Sequence, residues 1–237
     1  MTAPTTGTMY GVGLGPGDPD LITRRAARLI ERAAVLAYPT LAGAASFARS
    51  IAADLIAPGT REIVIDLPMT TDRAPAQAAY DKGAAAIAAE LDAGADVVVL
   101  CEGDPFFYGS FMYLHARLAP RYRVEIVPGV TSVTACAARA GLPLAARNEA
   151  LTVLPGPLPD DALLERLRGA DTLVLMKVGR HLPRLRALLA AEGLADRAVY
   201  VERASLPSER VLPLADAPDA APYFSMILVT KGADPWL

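Results

Sequence analysis

The sequence predicts an α/β protein built as two αβα halves, and three observations carry that reading. Short apolar runs bounded by turn residues recur along the chain. Stretches with helical apolar spacing lie between them. Several runs end in loops rich in glycine, proline and aspartate. Alternation of this kind implies a parallel or mostly parallel sheet, because parallel neighbours need a crossover that a helix supplies. A chain of 237 residues, 53% hydrophobic and 21% charged, fits one large domain or two small ones with ample cores.

The elements follow in order. Residues 1–8 read as a short disordered lead. A strand is expected over 9–13, then the loop 14–19. The spacing of Leu21, Ile22, Ala26, Leu29 and Ile30 predicts a helix over 20–34 with an aspartate cap. A short strand at 35–38, an alanine-rich helix at 46–55 and a strand at 61–67 come next. A third helix over 75–93 stops at Gly94, and a buried parallel strand at 95–100 leads to a helix at 110–118. The segment Ala119-Pro-Arg-Tyr122 reads as a boundary, which divides the chain into domains at 9–118 and 119–237. Beyond it, a strand at 124–127 ends in Pro128-Gly-Val-Thr-Ser132 and leads to a helix ending near 140. Strands at 151–154, 172–176, 198–201 and 226–230, with helices at 162–167 and 182–192, form the second αβα layer. Antiparallel strands are expected toward its end.

Composition excludes several classes. The amino terminus has no basic region followed by an apolar core, so no signal peptide is expected. No apolar run reaches the roughly 18 residues of a membrane span. The two cysteines, Cys101 and Cys136, stand in unrelated contexts, and a reducing cytoplasm is the natural compartment. A net charge of −3 gives no global attraction to nucleic acid. The two histidines, His115 and His181, are far apart, so no metal site built by the protein is expected. Nearly all cations are arginine, whose forks bind carboxylates bidentately.

Two loops carry chemistry. Gly11-Val-Gly-Leu-Gly-Pro-Gly17 follows a strand, yet its glycines fall out of phase with a dinucleotide fingerprint, and Pro16 and Pro19 break the helix start that a pyrophosphate needs. No Gly-Lys-Ser/Thr follows for a Walker loop. A planar or cationic group resting on bare backbone suits this turn better than a phosphate. The second loop, Glu102-Gly-Asp-Pro-Phe-Phe-Tyr-Gly109, stands at the carboxyl end of a strand, where open α/β sheets bind ligands. Gly103 allows close approach and Pro105 stiffens the turn. Two acids and several aromatics suit a cationic or amphipathic small molecule.

With the loops placed, the chain resembles the tetrapyrrole methylases. Three motifs carry the resemblance: Val12-Gly-Leu-Gly-Pro-Gly-Asp-Pro-Asp-Leu-Ile-Thr23, Glu102-Gly-Asp-Pro-Phe-Phe-Tyr-Gly109 and Val127-Pro-Gly-Val-Thr-Ser132. Within the family, the Phe-Phe-Tyr-Gly-Ser-Phe tail, Met176-Lys177 and Tyr200-Val-Glu-Arg-Ala-Ser205 before Glu209-Arg210 look most like the branch that methylates the C20 meso carbon of precorrin-2 in cobalamin synthesis. The sirohaem branch tends to carry Gly-Gly-Asp-Pro where this chain has Glu102.

The resemblance implies two αβα domains with the active site in the cleft between them, S-adenosylmethionine as methyl donor and a homodimer. Carried over by position, the cofactor should meet Leu14, Gly15, Pro16, Gly103, Asp104, Phe107, Tyr108, Thr131, Ser132 and Met176. Ala204, Ser225 and Met226 should close its adenosine side. Asp104, Glu102 and Tyr108 are the catalytic candidates. Methyl transfer needs mainly alignment, worth about 7–11 kcal/mol, and the base that takes the acceptor proton is Glu102, Asp104 or water. Arg24, Arg147, Arg180 and Arg203 are candidates to clamp the carboxylates of a reduced tetrapyrrole such as precorrin-2. Whether the ring carries cobalt stays open. So do a methylase of the same fold acting on uroporphyrinogen III, another precorrin, RNA or protein, and a non-enzymatic nucleotide-binding module.

Overall fold

The computed structural model describes residues 6–41, 43–68, 70 and 72–232. The chain divides into two compact units, Met1–Thr131 and Ser132–Leu237.

The first unit holds a five-stranded parallel sheet. Its strands are β1 (Met9–Gly13), β2 (Val35–Leu41), β3 (Arg61–Leu67), β4 (Val97–Cys101) and β5 (Val124–Val127), in the order β3-β2-β4-β1-β5. Helices α1 (Arg24–Glu31) and α2 (Phe47–Ile51) cover one face, where Ala26, Ile30, Ala48 and Ile51 bury against Val12, Leu36, Val98 and Leu100. Helices α3 (Arg73–Asp92) and α4 (Phe111–Leu118) cover the other, where Tyr80, Ile87, Phe111 and Leu114 bury against Met9, Ala37, Val97 and Val99. The central strand β4 is buried at all five positions, as a strand covered on both faces must be.

The connections fix the ligand end of this sheet. The chain leaves β1 and passes β4 to reach β2; it leaves β4 and passes β1 to reach β5. The two crossovers diverge, so a crevice opens at the carboxyl ends of β1 and β4, the place where such sheets bind ligands.

The second unit opens with α5 (Ser132–Ala140) and holds a mixed sheet. Its strands are β6 (Leu151–Pro155), β7 (Thr172–Met176), β8 (Ala198–Glu202), β9 (Arg210–Pro213) and β10 (Ser225–Thr230), in the order β6-β7-β10-β8-β9. Only the β6–β7 pair is parallel; β10 runs antiparallel to β7 and β8, and β8 to β9. Helices α6 (Asp160–Gly169) and α7 (Leu182–Ala191) bury Leu163, Leu167, Leu185 and Leu189 in a core with Leu173, Leu175, Tyr200 and Ile227. Helix α5 packs against β10 and β8.

Several expectations are corrected. The boundary expected between 118 and 119 falls instead after Thr131, because β5 pairs in parallel with β1 and so completes the first sheet. Ala119-Pro-Arg-Tyr122 is the turn of a crossover, not a linker. Part of the expected disordered lead is ordered: Gly7 is buried and its N–H donates to Leu91 O at 2.8 Å, while Thr8 N–H donates to Asp96 Oδ1 at 2.7 Å. Residues 1–5 of that lead lie outside the described residues. The helix expected over 20–34 is split into a 3-10 turn at Pro19–Leu21 and α1, because Ile22 is extended and Thr23 caps a fresh helix by accepting from Ala26 N–H. The 46–55 helix likewise ends at Ile51, followed by a 3-10 turn at Ala53–Leu55. Strand β9 was not foreseen. Among the described residues, no helix is long and apolar enough to cross a membrane, and no group of three His, Cys, Asp or Glu could hold a metal ion.

Candidate active site

The carboxyl ends of β1, β4 and β5 bring the two chemistry-bearing loops together through backbone. Gly103 N–H donates to Gly15 O at 2.8 Å, Gly15 N–H to Gly103 O at 3.2 Å, and Leu14 N–H to Cys101 O at 2.9 Å. Gly103 has φ +64°, a conformation that favours glycine. The third loop presses in from β5. A Cβ on Gly129 would overlap the Gly103 carbonyl oxygen, and a Cβ on Gly13 would stand 2.5 Å from Gly129 N. Three main chains thus meet where no side chain fits.

Asp104 locks this junction. Its Oδ1 accepts from Phe106 N–H at 2.9 Å within its own loop, and its Oδ2 accepts from Gly129 N–H at 3.1 Å across to the β5 loop. The carboxylate is committed to two backbone donors, which suits a brace better than a proton acceptor. Glu102 differs. It is exposed at the end of β4, and desolvation raises its pKa above the ordinary carboxylate value.

The aromatic tail stands beside the junction. Phe106 and Tyr108 are 47% and 43% exposed, enough to offer ring faces to a ligand. Phe107 meets Tyr108 edge-on at 5.2 Å. Tyr108 has φ +56°, a costly conformation for a non-glycine residue and one that clusters at ligand sites. Pro16 is half-buried on the first loop, and Thr131 and Ser132 follow the Gly129 loop, both half-buried.

The remaining cofactor candidates gather at one end of the second sheet. Met176 ends β7 and pairs with Met226 at the start of β10. Ser225 pairs with Glu202 at the end of β8. Ser225, Met226 and Ala204 are buried and Met176 is half-buried. Arg203, next in the chain, has φ +50°, and its N–H donates to Phe224 O at 2.8 Å.

The four arginines do not form one cluster. Arg24 opens α1 in the first unit; Arg147, Arg180 and Arg203 belong to the second. Arg147 is exposed on the loop between α5 and β6, and Arg180 is exposed in the 3-10 turn Gly179–His181. Only Arg203 stands at the sheet end with Met176, Ser225 and Met226. Sequence reasoning missed Gly129, whose signal is the Pro-Gly that ends a strand, and the buried Tyr200–Glu202 pair, whose signal is an acid two residues beyond a tyrosine on an apolar strand.

Comparison with known proteins places the chain in a family. The family profile "Tetrapyrrole (Corrin/Porphyrin) Methylases" matches residues 8–218. A Sinorhizobium protein named precorrin-2 C(20)-methyltransferase is 44% identical over 99% of this chain and 99% of its own length. A Salmonella typhimurium protein named cobalt-precorrin-2 C(20)-methyltransferase is 39% identical over 95% of this chain and 97% of its own. A Mycobacterium tuberculosis protein named CobIJ is 46% identical over 95% of this chain, which spans 46% of that longer protein. Among solved structures, a cobalt precorrin-4 methyltransferase, CbiF, superposes with TM-score 0.73 at 25% identity over 96% of both chains. A Thermus thermophilus uroporphyrin-III C-methyltransferase complexed with S-adenosyl homocysteine superposes with TM-score 0.67 at 28% identity, over 94% of this chain and 97% of that one. A fold, three loop motifs and near full-length identity converge: the chain belongs to the tetrapyrrole methylase family.

Proposed function

We propose that this chain transfers one methyl group from S-adenosylmethionine to the C20 meso carbon of precorrin-2, a step of cobalamin biosynthesis. The observation that carries the proposal is the 44% identity to a protein of that name over 99% of both chains. The relative named for the cobalt-containing ring is less similar, at 39%, which favours the metal-free substrate.

The residues present fit the cofactor. The open space over Gly103, where an added Cβ would meet nothing within 4 Å, leaves room for close approach, and the exposed Phe106 and Tyr108 rings offer faces that attract a sulfonium. Leu14, Pro16, Phe107, Thr131 and Ser132 are the further candidates for the donor, and Met176, Ala204, Ser225 and Met226 those for its adenosine side. When bound, S-adenosylmethionine supplies a methyl group activated by its sulfonium. The acceptor carbon of a reduced tetrapyrrole is already enamine-like, so the residues have mainly to align and to exclude water.

The catalytic roles divide. Asp104 holds the loops that set the alignment. Glu102, at the carboxyl end of β4 beside the junction, takes the proton that the methylated carbon loses. Tyr108 orients the donor through its ring. Arg24, Arg147, Arg180 and Arg203 meet substrate carboxylates. A homodimer and a cytoplasmic location belong to the same reading, the latter supported by two buried free thiols.

The test is incubation of the purified protein with carbon-13 methyl donor and precorrin-2, with and without cobalt, beside uroporphyrinogen III, RNA and protein acceptors. Mass spectrometry should show one added methyl on precorrin-2, and NMR should place it on the bridge carbon. Two methyls on uroporphyrinogen III would overturn the choice of substrate.

A further inference from the structure

Resting on the reading above, we infer that Arg210 is a second carboxylate-reading residue for the tetrapyrrole, held as a pair with Arg203 by the buried carboxylate of Glu202. All three belong to the Tyr200–Arg210 motif, but their contact depends on strand pairing. Arg203 follows the end of β8, and Arg210 begins β9, which the sequence reading did not foresee. The antiparallel register sets Glu202 directly opposite Arg210.

The geometry has three parts. The Glu202 side chain is only 4% exposed, and its Oε2 accepts from Tyr200 O–H at 2.6 Å. Its other oxygen faces two guanidinia, Arg210 Nη1 at 3.5 Å and Arg203 Nη1 at 3.9 Å. Both guanidinia remain open to water, with side chains 49% and 44% exposed. A single buried anion thus holds two cations that would otherwise repel. Their long separations from it leave neither arginine in a tight bidentate pair.

Charge arithmetic gives the function. One carboxylate offsets one guanidinium, so the cluster carries a net positive charge toward solvent. Arginine forks bind carboxylates bidentately, and a pre-set fork loses little freedom on binding. The cluster stands at the strand ends that also carry Met176, Ser225, Met226 and Ala204. Lys177 follows the end of β7 directly and adds a further cation there. The neighbouring acid Glu209 is already engaged: both its oxygens accept from Arg139 Nε, at 2.7 and 2.9 Å, and one accepts from Ser205 N–H at 2.6 Å. That bond fixes the loop between the two arginines, in which Arg203 and Ser205 have φ +50° and +69°. Glu202 and Glu209 are therefore positioning residues, and the arginines are the groups that meet the ligand.

The test is steady-state kinetics with precorrin-2 and S-adenosylmethionine varied separately, on the wild type, Arg210→Gln, Arg210→Lys and the control Arg166→Gln. Arg166 lies on α6, exposed, and carries the same charge change. In Arg210→Gln, the KM for precorrin-2 should rise about tenfold, the loss of one charge-assisted contact, while the KM for S-adenosylmethionine moves less than about twofold. Its precorrin-2 KM should also depend less on salt than the wild type's. Arg166→Gln should match the wild type. If Arg210→Gln does not fold, Arg210→Lys decides, with a precorrin-2 KM raised severalfold because charge survives and the fork does not. A wild-type precorrin-2 KM in the folded Arg210 variant, or an effect confined to S-adenosylmethionine, overturns the inference. A wild type that does not methylate precorrin-2 overturns the functional reading on which it rests, and is seen before any variant is compared.

Discussion

The two sheet ends solve the same problem with different materials. In the first unit, three main chains meet at Gly13–Gly15, Gly103 and Gly129, and a single side chain, Asp104, ties them by accepting backbone N–H groups. In the second, the sheet end is made of side chains: a buried Tyr200–Glu202 pair, two guanidinia on it, and the Met176 and Met226 thioethers. Strand direction explains the contrast. In a parallel sheet every carboxyl end opens on one side, and each delivers a loop there. In the mixed sheet, β10 and β9 start at the edge where β7 and β8 end, so side chains on paired strands stand together there. A site of backbone tolerates almost no added atom; a site of side chains should tolerate substitution and lose only the contact removed.

That difference can be broken by mutation. The largest effect is expected for Gly129→Ala, whose Cβ would overlap the Gly103 carbonyl with backbone on both sides. Overpacking against atoms that cannot rotate away should cost about 3 kcal/mol and abolish S-adenosylhomocysteine binding. Thermal unfolding and calorimetry measure the two together; an unshifted Tm with intact binding would mean the loops do not meet as described. Tyr200→Phe comes next. It removes the O–H that donates to a buried carboxylate and should cost about 2 kcal/mol in denaturant titration, with S-adenosylhomocysteine affinity within about twofold of the wild type.

Asp104→Asn should cost about 1.5 kcal/mol, since the amide keeps one acceptor oxygen but sets an NH2 group against a backbone donor. The affinity for S-adenosylhomocysteine should fall, while residual methyl transfer retains its pH profile, because the brace is not the base. The smallest effect on stability is expected for Glu102→Gln. Desolvation raises the Glu102 pKa in the folded state, so the folded protein holds that proton more tightly than the unfolded chain does. Stability from the protonated form is therefore full below the ordinary carboxylate range and is lost as pH rises through the raised value. The glutamine variant should lack that slope. Its kcat/KM should also lose the acidic limb assigned to the base, and a wild-type pH profile would remove Glu102 from that role.

The contrast also explains what the sequence could reveal. Strands β1, β3, β5 and β7 match their expected bounds, each carrying apolar or β-branched residues in a short run. The loops of the first unit were legible because backbone sites demand glycine, proline and aspartate at fixed places, and there these residues recur at close spacing directly after a strand. The boundary was not legible. That β5 belongs to the first sheet depends on pairing with β1, more than a hundred residues away in sequence, and periodicity carries no such information. Strand β9 was missed because it has four residues, lies at an edge and ends in Pro213. The role of Asp104 was half legible: its importance follows from the motif, but its two backbone partners emerge only when the β4 and β5 loops fold together. Arg210 was hidden for the same reason as β9, since only strand pairing sets it opposite Glu202.

The central claim is that the backbone junction at the ends of β1, β4 and β5 holds the methyl donor and not a nucleotide. Calorimetric titration of the intact protein with S-adenosylhomocysteine, and separately with NAD, tests it most directly. Saturable binding of S-adenosylhomocysteine that is lost in Gly129→Ala, with no heat from NAD, is the predicted result. Binding of NAD without any response to S-adenosylhomocysteine would contradict it.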